Sequence, residues 1–126
     1  MSNGANLAIT LNVAGSMTLN TTDGQFIPGT GSTVNYNGTT AQTINLANFT
    51  YANLTTNNTN AVTGAVLGAA ITATNVTGNI SVNSGLFTTN NLAMTMANTR
   101  NLTVALGATM DAGTTSILMG TGPPTA

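Results

Sequence analysis

The sequence predicts an all-β fold, and within that class a parallel β-solenoid with rungs of about 22 residues. Three observations carry the expectation. Apolar residues alternate with Thr, Ser and Asn over short runs, the period of a half-buried strand. Gly and Asn punctuate these runs, and no stretch shows a capped helical period. Finally, the stretch Gly78 to Met119 repeats itself: Asn79-Ile80-Ser81-Val82 followed by Gly85 recurs as Asn101-Leu102-Thr103-Val104 followed by Gly107, both pairs offset by 22 positions. A repeat of that length marks a stacked architecture. The competing all-β arrangement is an antiparallel β-sandwich, which predicts hairpins and no fixed offset.

Taken in order, Asn6 to Leu19 reads as a first pair of strands, with Ile9, Leu11 and Val13 alternating with Thr10 and Asn12 before Gly15. Asp23-Gly24 signals a turn, and Pro28-Gly29 with Thr30-Gly31 a loop. Val34 and Tyr36 face one way and Asn35 and Asn37 the other; Asn37-Gly38 suits a tight turn with positive φ. Ile44 and Leu46 give a further short strand, Phe49 to Thr55 another, and Asn57 to Asn60 a polar corner. Ala65 to Ala73 is Ala-rich, but Gly68 inside it and Gly64 beside it argue against a helix, at ~1 kcal/mol per helical Gly. In the repeated stretch the second strands are Leu92 to Met96 and Ser116 to Met119. Residues 1–120 are expected to form one solenoid domain of about six rungs, with 121–126 a tail or linker, since Pro123-Pro124 cannot continue a strand ladder. The expected core is Ile9, Leu11, Val34, Tyr36, Ile44, Leu54, Ile80, Val82, Leu92, Met94, Leu102 and Val104. In the stack, Ile80 should lie beside Leu102 and Val82 beside Val104 on parallel strands.

Composition narrows the function classes. The apolar fraction of 41% is enough for a core, and a mean hydropathy of +0.21 with net charge −1 is not the profile of a disordered chain. Only 2% of residues are charged, namely Asp23, Arg100 and Asp111. One Arg cannot supply the clustered cations that nucleic acid or an anionic membrane surface requires, so neither is an expected partner. No apolar run approaches the ~20 residues of a membrane span. The opening MSNGANLAIT lacks the basic and apolar regions of a signal peptide, so a mature form or an internal piece is expected. There is no Cys and no His, which removes thiol chemistry and the usual zinc ligands.

The segments STVNYNGTTAQTI, FTYANLTTNN, GNISVNSGLFTTNNLAMTM and NLTVALGATMDAGT resemble repeat segments of large secreted bacterial surface proteins of the adhesin type. The likeness runs from about Asn6 to Thr121 and rests on spacing and residue type. It implies a parallel β-solenoid, an extracellular or cell-surface location and a non-enzymatic role, and it carries no catalytic residues to transfer. The chain departs from the pattern in its near-absence of charge and of any visible cap.

Catalysis finds little to work with. Glycoside hydrolysis needs two carboxylates within ~5–10 Å, and the sole pair, Asp23 and Asp111, would lie several rungs apart. Asp23 reads as a turn residue and Asp111 as a solvated corner; Arg100 either pairs with Asp111 or stands in solvent. No cofactor or metal is expected. Tyr36, Tyr51, Phe26, Phe49 and Phe87 read as core rather than as a sugar-stacking platform, and the Met residues as core fillers. The expected function is therefore a structural subunit or segment of an extracellular fibre, self-associating through Ile9, Leu11 and Val13 at one end and Ile117, Leu118 and Met119 at the other. An adhesin or carbohydrate-binding module, with a glycan or surface ligand, is the second reading. An ice-binding solenoid is third, because Thr72-Ala73-Thr74 is the sole Thr-x-Thr triplet.

Overall fold

The computed structural model describes residues 8–19 and 24–120. They form eleven strands and no helix: β1 (Thr10–Val13), β2 (Thr33–Tyr36), β3 (Gln42–Ile44), β4 (Asn53–Thr56), β5 (Ala65–Leu67), β6 (Ile80–Val82), β7 (Leu86–Thr88), β8 (Met94–Asn98), β9 (Leu102–Val104), β10 (Thr109–Asp111) and β11 (Ile117–Gly120). Every pairing is parallel, in three sheets ordered β1-β2-β4-β6-β9, β10-β7-β5-β3 and β11-β8. Successive strands of one sheet come from successive passes of the chain, so the molecule is a three-faced parallel β-solenoid. The 5-stranded first sheet counts its turns as five, one fewer than expected. Ile80 pairs with Leu102 and Val82 with Val104, as the repeat predicts, and the antiparallel sandwich is excluded.

Inward residues form columns along the axis. Leu11, Val34, Leu54, Ile80 and Leu102 make one; Val13, Tyr36, Thr56, Val82 and Val104 make the next. Fully burying such a side chain is worth ~1.5–3 kcal/mol, and each column buries its middle members. Val34, Tyr36, Ile44, Leu54, Ile80, Val82 and Met94 are buried, as expected. Leu92 and Leu102 are only partly so, and Ile9 (57% exposed), Leu11 (37%) and Val104 (43%) are not core at all. Leu92 lies in the corner between β7 and β8, outside a strand; for the other four the reason is positional. Alternation reports which way a residue points, but in the first and last turns the inward direction has a neighbour on one side only. Thr56 stands in its column with a buried hydroxyl that has no hydrogen-bond partner, a local cost of about 1–3 kcal/mol.

The turn length varies. Along the first sheet the spacing is 23, 20, 26 and 22 residues (Thr10 to Thr33 to Asn53, then Leu54 to Ile80 to Leu102). The 26-residue turn contains an inserted bend, where Asn75 Oδ1 accepts the Thr72 N–H (2.8 Å) and Asn75 N–H donates to Thr72 Oγ1 (3.2 Å). Phe49 and Tyr51, expected within one strand with Leu54, make single bridges to Phe26 and Val76 around a corner. Asn37-Gly38 adopts no positive φ. It is a corner between sheets, held by Gln42 Oε1, which accepts the Gly38 N–H (2.7 Å).

Parallel sheets are usually covered on both faces. Here the outer face is wet, and polar side chains tie the turns together instead. Asn35 Nδ2 donates to Asn12 Oδ1 (2.8 Å), and Asn57 Nδ2 to Asn35 Oδ1 (2.7 Å). Inside one corner, the buried Gln42 braces three turns. Its Nε2 donates to the Val13 and Gly15 carbonyls (2.8 and 2.6 Å), and its Oε1 also accepts from Asn58 Nδ2 (2.8 Å). A buried amide with every group satisfied costs little and fixes register.

The aromatic residues lie within the solenoid. Tyr36, Phe49, Tyr51 and Phe87 are buried and Phe26 is half-buried; Phe49 stacks on Tyr51 with ring centroids 6.0 Å apart. Tyr36 O–H donates to Tyr51 Oη (2.9 Å), whose own O–H donates to the Asn45 carbonyl (2.6 Å). Burial raises both phenol pKa values above the ordinary 10, and a charge on Tyr36 would raise that of Tyr51 further. Both folded values lie above the unfolded one. Their contribution to stability is therefore complete below about pH 10 and is lost as pH rises beyond it. The chain contains only these 2 Tyr and no Trp, so absorbance at 295 nm reports them alone. Tyrosinate is expected only above pH 10, together with loss of the far-UV β signal. A midpoint at pH 10 with the β signal intact would contradict the buried pair.

Candidate functional site

The last turn stands apart from the other four. Its strands β9, β10 and β11 lie at the ends of their sheet orders, each paired on one side only among the described residues. All three sheets therefore end on the same turn, with parallel backbone edges facing along the axis. Asp111 is the single charged residue on these strands. The turn also shows apolar surface: Ile117 (37% exposed), Leu118 (61%) and Met119 (41%) on β11, Val104 on β9, and Leu106, which is wholly exposed in the corner after it. A shallow groove of about 480 Å³ runs beside Leu118 and Met119, over Thr95, Met96 and Ala97 of β8.

The structure divides the expected association residues between the two ends. Ile9, Leu11 and Val13 belong to the first turn, where Ile9 is exposed, Leu11 is marginally so and Val13 is buried. Ile117, Leu118 and Met119 lie in the last turn, which Val104 and Leu106 extend. The sequence carried a signal for Leu106, a large apolar residue immediately before a turn Gly. Gly107 has a φ of 84°.

The charged groups do not assemble. Asp111 closes β10 before the corner leading to β11, where its Oδ1 accepts the Gly113 N–H (2.9 Å), a turn-capping role. Arg100 lies at the corner between β8 and β9 and borders a groove with Pro28, Thr77 and Gly78. The two residues sit at different corners of the solenoid. Asp23 and the tail 121–126 lie outside the described residues. Among the described residues there is no group of three or more His, Cys, Asp or Glu that could hold a metal, and no helix long and apolar enough to cross a membrane.

A second polar feature reaches the last turn. At the corner before the first sheet, Asn53 Oδ1 accepts the Asn79 N–H (3.0 Å) and Asn79 Oδ1 accepts the Asn101 N–H (3.0 Å). Each Asn thus holds a backbone donor of the turn above it. Asn101 occupies the same position in the last turn and is exposed.

Fold and end together define the class: a parallel β-solenoid whose last turn presents strand edges that are unpaired among the described residues. No protein-family model, curated protein or solved structure matches the chain.

Proposed function

We propose that the protein is a non-enzymatic, extracellular structural protein, a subunit or segment of a surface fibre that assembles end to end. The observation that carries this reading is the last turn, where three parallel strand edges lie at the ends of their sheets among the described residues and five apolar side chains are exposed. Natural proteins blunt such edges with Lys, Pro, bulges or a covering element. A net charge of −1 offers no long-range repulsion to oppose association. Covering these side chains is worth on the order of 5 kcal/mol, near the low end of the ~4–15 kcal/mol that association costs. Apolar burial alone is close to break-even, so the backbone edges supply the surplus. A head-to-tail contact of unlike ends does not close unless it forms a ring, and so propagates. A surface with no Lys and one Arg also suits exposure to trypsin-like proteases outside the cell.

An adhesin or glycan-binding module is the alternative. The internal position of the aromatic residues weighs against it, and among the described residues neither the groove beside Arg100 nor the one beside Leu86 has an aromatic lining for a sugar ring to stack on. Ice binding would want ranks of outward Thr, whereas the Thr72 and Thr74 hydroxyls bond each other within a bend (3.0 Å).

Sedimentation velocity over rising concentration, with negative-stain microscopy, tests the reading. The intact chain is expected to form species growing with concentration. Leu118→Lys on the last turn, or Leu11→Lys on the first, should hold it monomeric while the β spectrum stays unchanged. A wild-type chain that remains folded and monomeric at high concentration defeats the proposal.

A further inference from the structure

Resting on the end-to-end reading, we infer the partner and its register: the last turn receives the first turn of a second copy of this chain, with the next copy's Thr10–Val13 laid parallel on β9, so that Asn101 Oδ1 accepts the N–H of the next copy's Thr10. The argument starts from the corner column Thr10, Thr33, Asn53, Asn79 and Asn101, the residues in register at the start of each first-sheet pass. Twice in succession an Asn in this column accepts the backbone N–H at the same position one turn on, each time at 3.0 Å. The next acceptor in the series is Asn101. A strand that completes the series must be parallel, one turn further along the axis, and must offer a free backbone N–H at its first residue.

Among the described residues the first turn offers such a strand. The carbonyl of Ile9 is taken by the Thr33 N–H (2.8 Å), which directs the neighbouring Thr10 N–H the opposite way, off the first turn. Extending the columns by one step then sets Leu11 over Leu102 and Val13 over Val104. The inward columns that run through the chain would continue across the joint, with aliphatic residues on both sides of it. Outside, Asn12 would meet Thr103 in the polar line that already contains Asn35, Thr55 and Ser81. A joint between two last turns would be antiparallel about a twofold axis, would place no strand-start N–H over Asn101, and would stop at a dimer. The column therefore selects a polar polymer with one accepting and one donating end.

The absence of Cys makes the register testable in the full chain. Neighbouring parallel strands lie ~4.8 Å apart, within the Cα separation that a disulfide spans. The double variant Asn12→Cys/Thr103→Cys, mildly oxidised and run without reductant, is expected to give a ladder of covalent multimers, at least 10-fold more abundant than with either single variant. Asn12→Cys/Ala105→Cys, two residues out of register, should give little. Asn101→Ala should raise the concentration at half-assembly between about 2- and 10-fold, the range of one hydrogen bond, with an unchanged β spectrum. Polymers that form without the Asn12–Thr103 cross-link overturn the register and leave the fibre reading standing. A dimer from Thr103→Cys alone, and nothing longer, means a last-turn to last-turn joint and overturns it too. A chain with no polymer at any concentration overturns both.

Discussion

Gly85→Ala should lower the urea midpoint far more than Gly107→Ala, although the two glycines occupy equivalent places in the repeat. Both have positive φ, 69° and 84°, so an Ala at either carries a backbone cost of about 1–2 kcal/mol. The difference lies in the neighbouring turn. A Cβ on Gly85 would overlap the Asn58 carbonyl, while a Cβ on Gly107 would meet nothing within 4 Å. Asn58 is itself fixed, since its Nδ2 donates to Gln42 Oε1 and to the Thr40 carbonyl (2.7 Å). The clash must push two turns apart at a corner braced by a buried network, adding about 1–3 kcal/mol or more. We expect a loss of about 2–5 kcal/mol for Gly85→Ala against about 1–2 for Gly107→Ala, read from urea unfolding followed by circular dichroism. Equal losses would mean that the turns are not in contact at this corner.

The second large effect is Val82→Asp. Val82 is buried between Thr56 and Val104 of its column, and no cation lines the interior among the described residues. An unpaired buried carboxylate there should cost about 3–5 kcal/mol at neutral pH. Burial raises the folded pKa of the new carboxyl above its unfolded value. The variant should therefore be least impaired below about pH 4 and lose stability as pH rises above it. Ser81→Asp, one residue away on the outer face, should stay within about 0.5 kcal/mol of wild type. A Ser81→Asp loss as large as that of Val82→Asp would reverse the assigned inward face.

The fold was legible where the repeat is clean. Asn79 to Val82 and Asn101 to Val104 share one spacing, and from that alone the parallel pairing follows. Earlier turns were harder to see. The loop between Phe26 and Thr33 lies in a 23-residue spacing and the bend at Thr72 to Asn75 in a 26-residue one, with 20 residues between them, and a fixed offset cannot follow such variation. The middle strand of each of the last two turns was missed for a different reason. β7 begins directly after Gly85 and β10 two residues after Gly107, so both merge with the turn signal of a positive-φ Gly. The interior polar groups were also unread, because hydropathy places Gln and Asn outside. Parity did hold the signal for Gln42, which lies two residues before the buried Ile44, with the exposed Thr43 between them. At the candidate site, residue types marked Ile117, Leu118 and Met119 as a sticky segment. The donors and acceptors at each end depend on which turn is last, and composition does not encode that.

The parallel pairing that builds this molecule also sets how it would bear a load. Its backbone hydrogen bonds run between turns, along the solenoid axis, so tension applied through the two ends pulls on each inter-turn layer in series. The few bonds of one layer carry the whole force at a time, as in peeling a zip, and strands sheared along their length would share it. A turn lost from an end releases ~75 Å of slack, at ~3.4 Å for each of its roughly 22 residues, and leaves the remaining layers intact. A fibre built from such turns would lengthen in steps under strain, giving way gradually from its ends or joints where a rigid rod would snap.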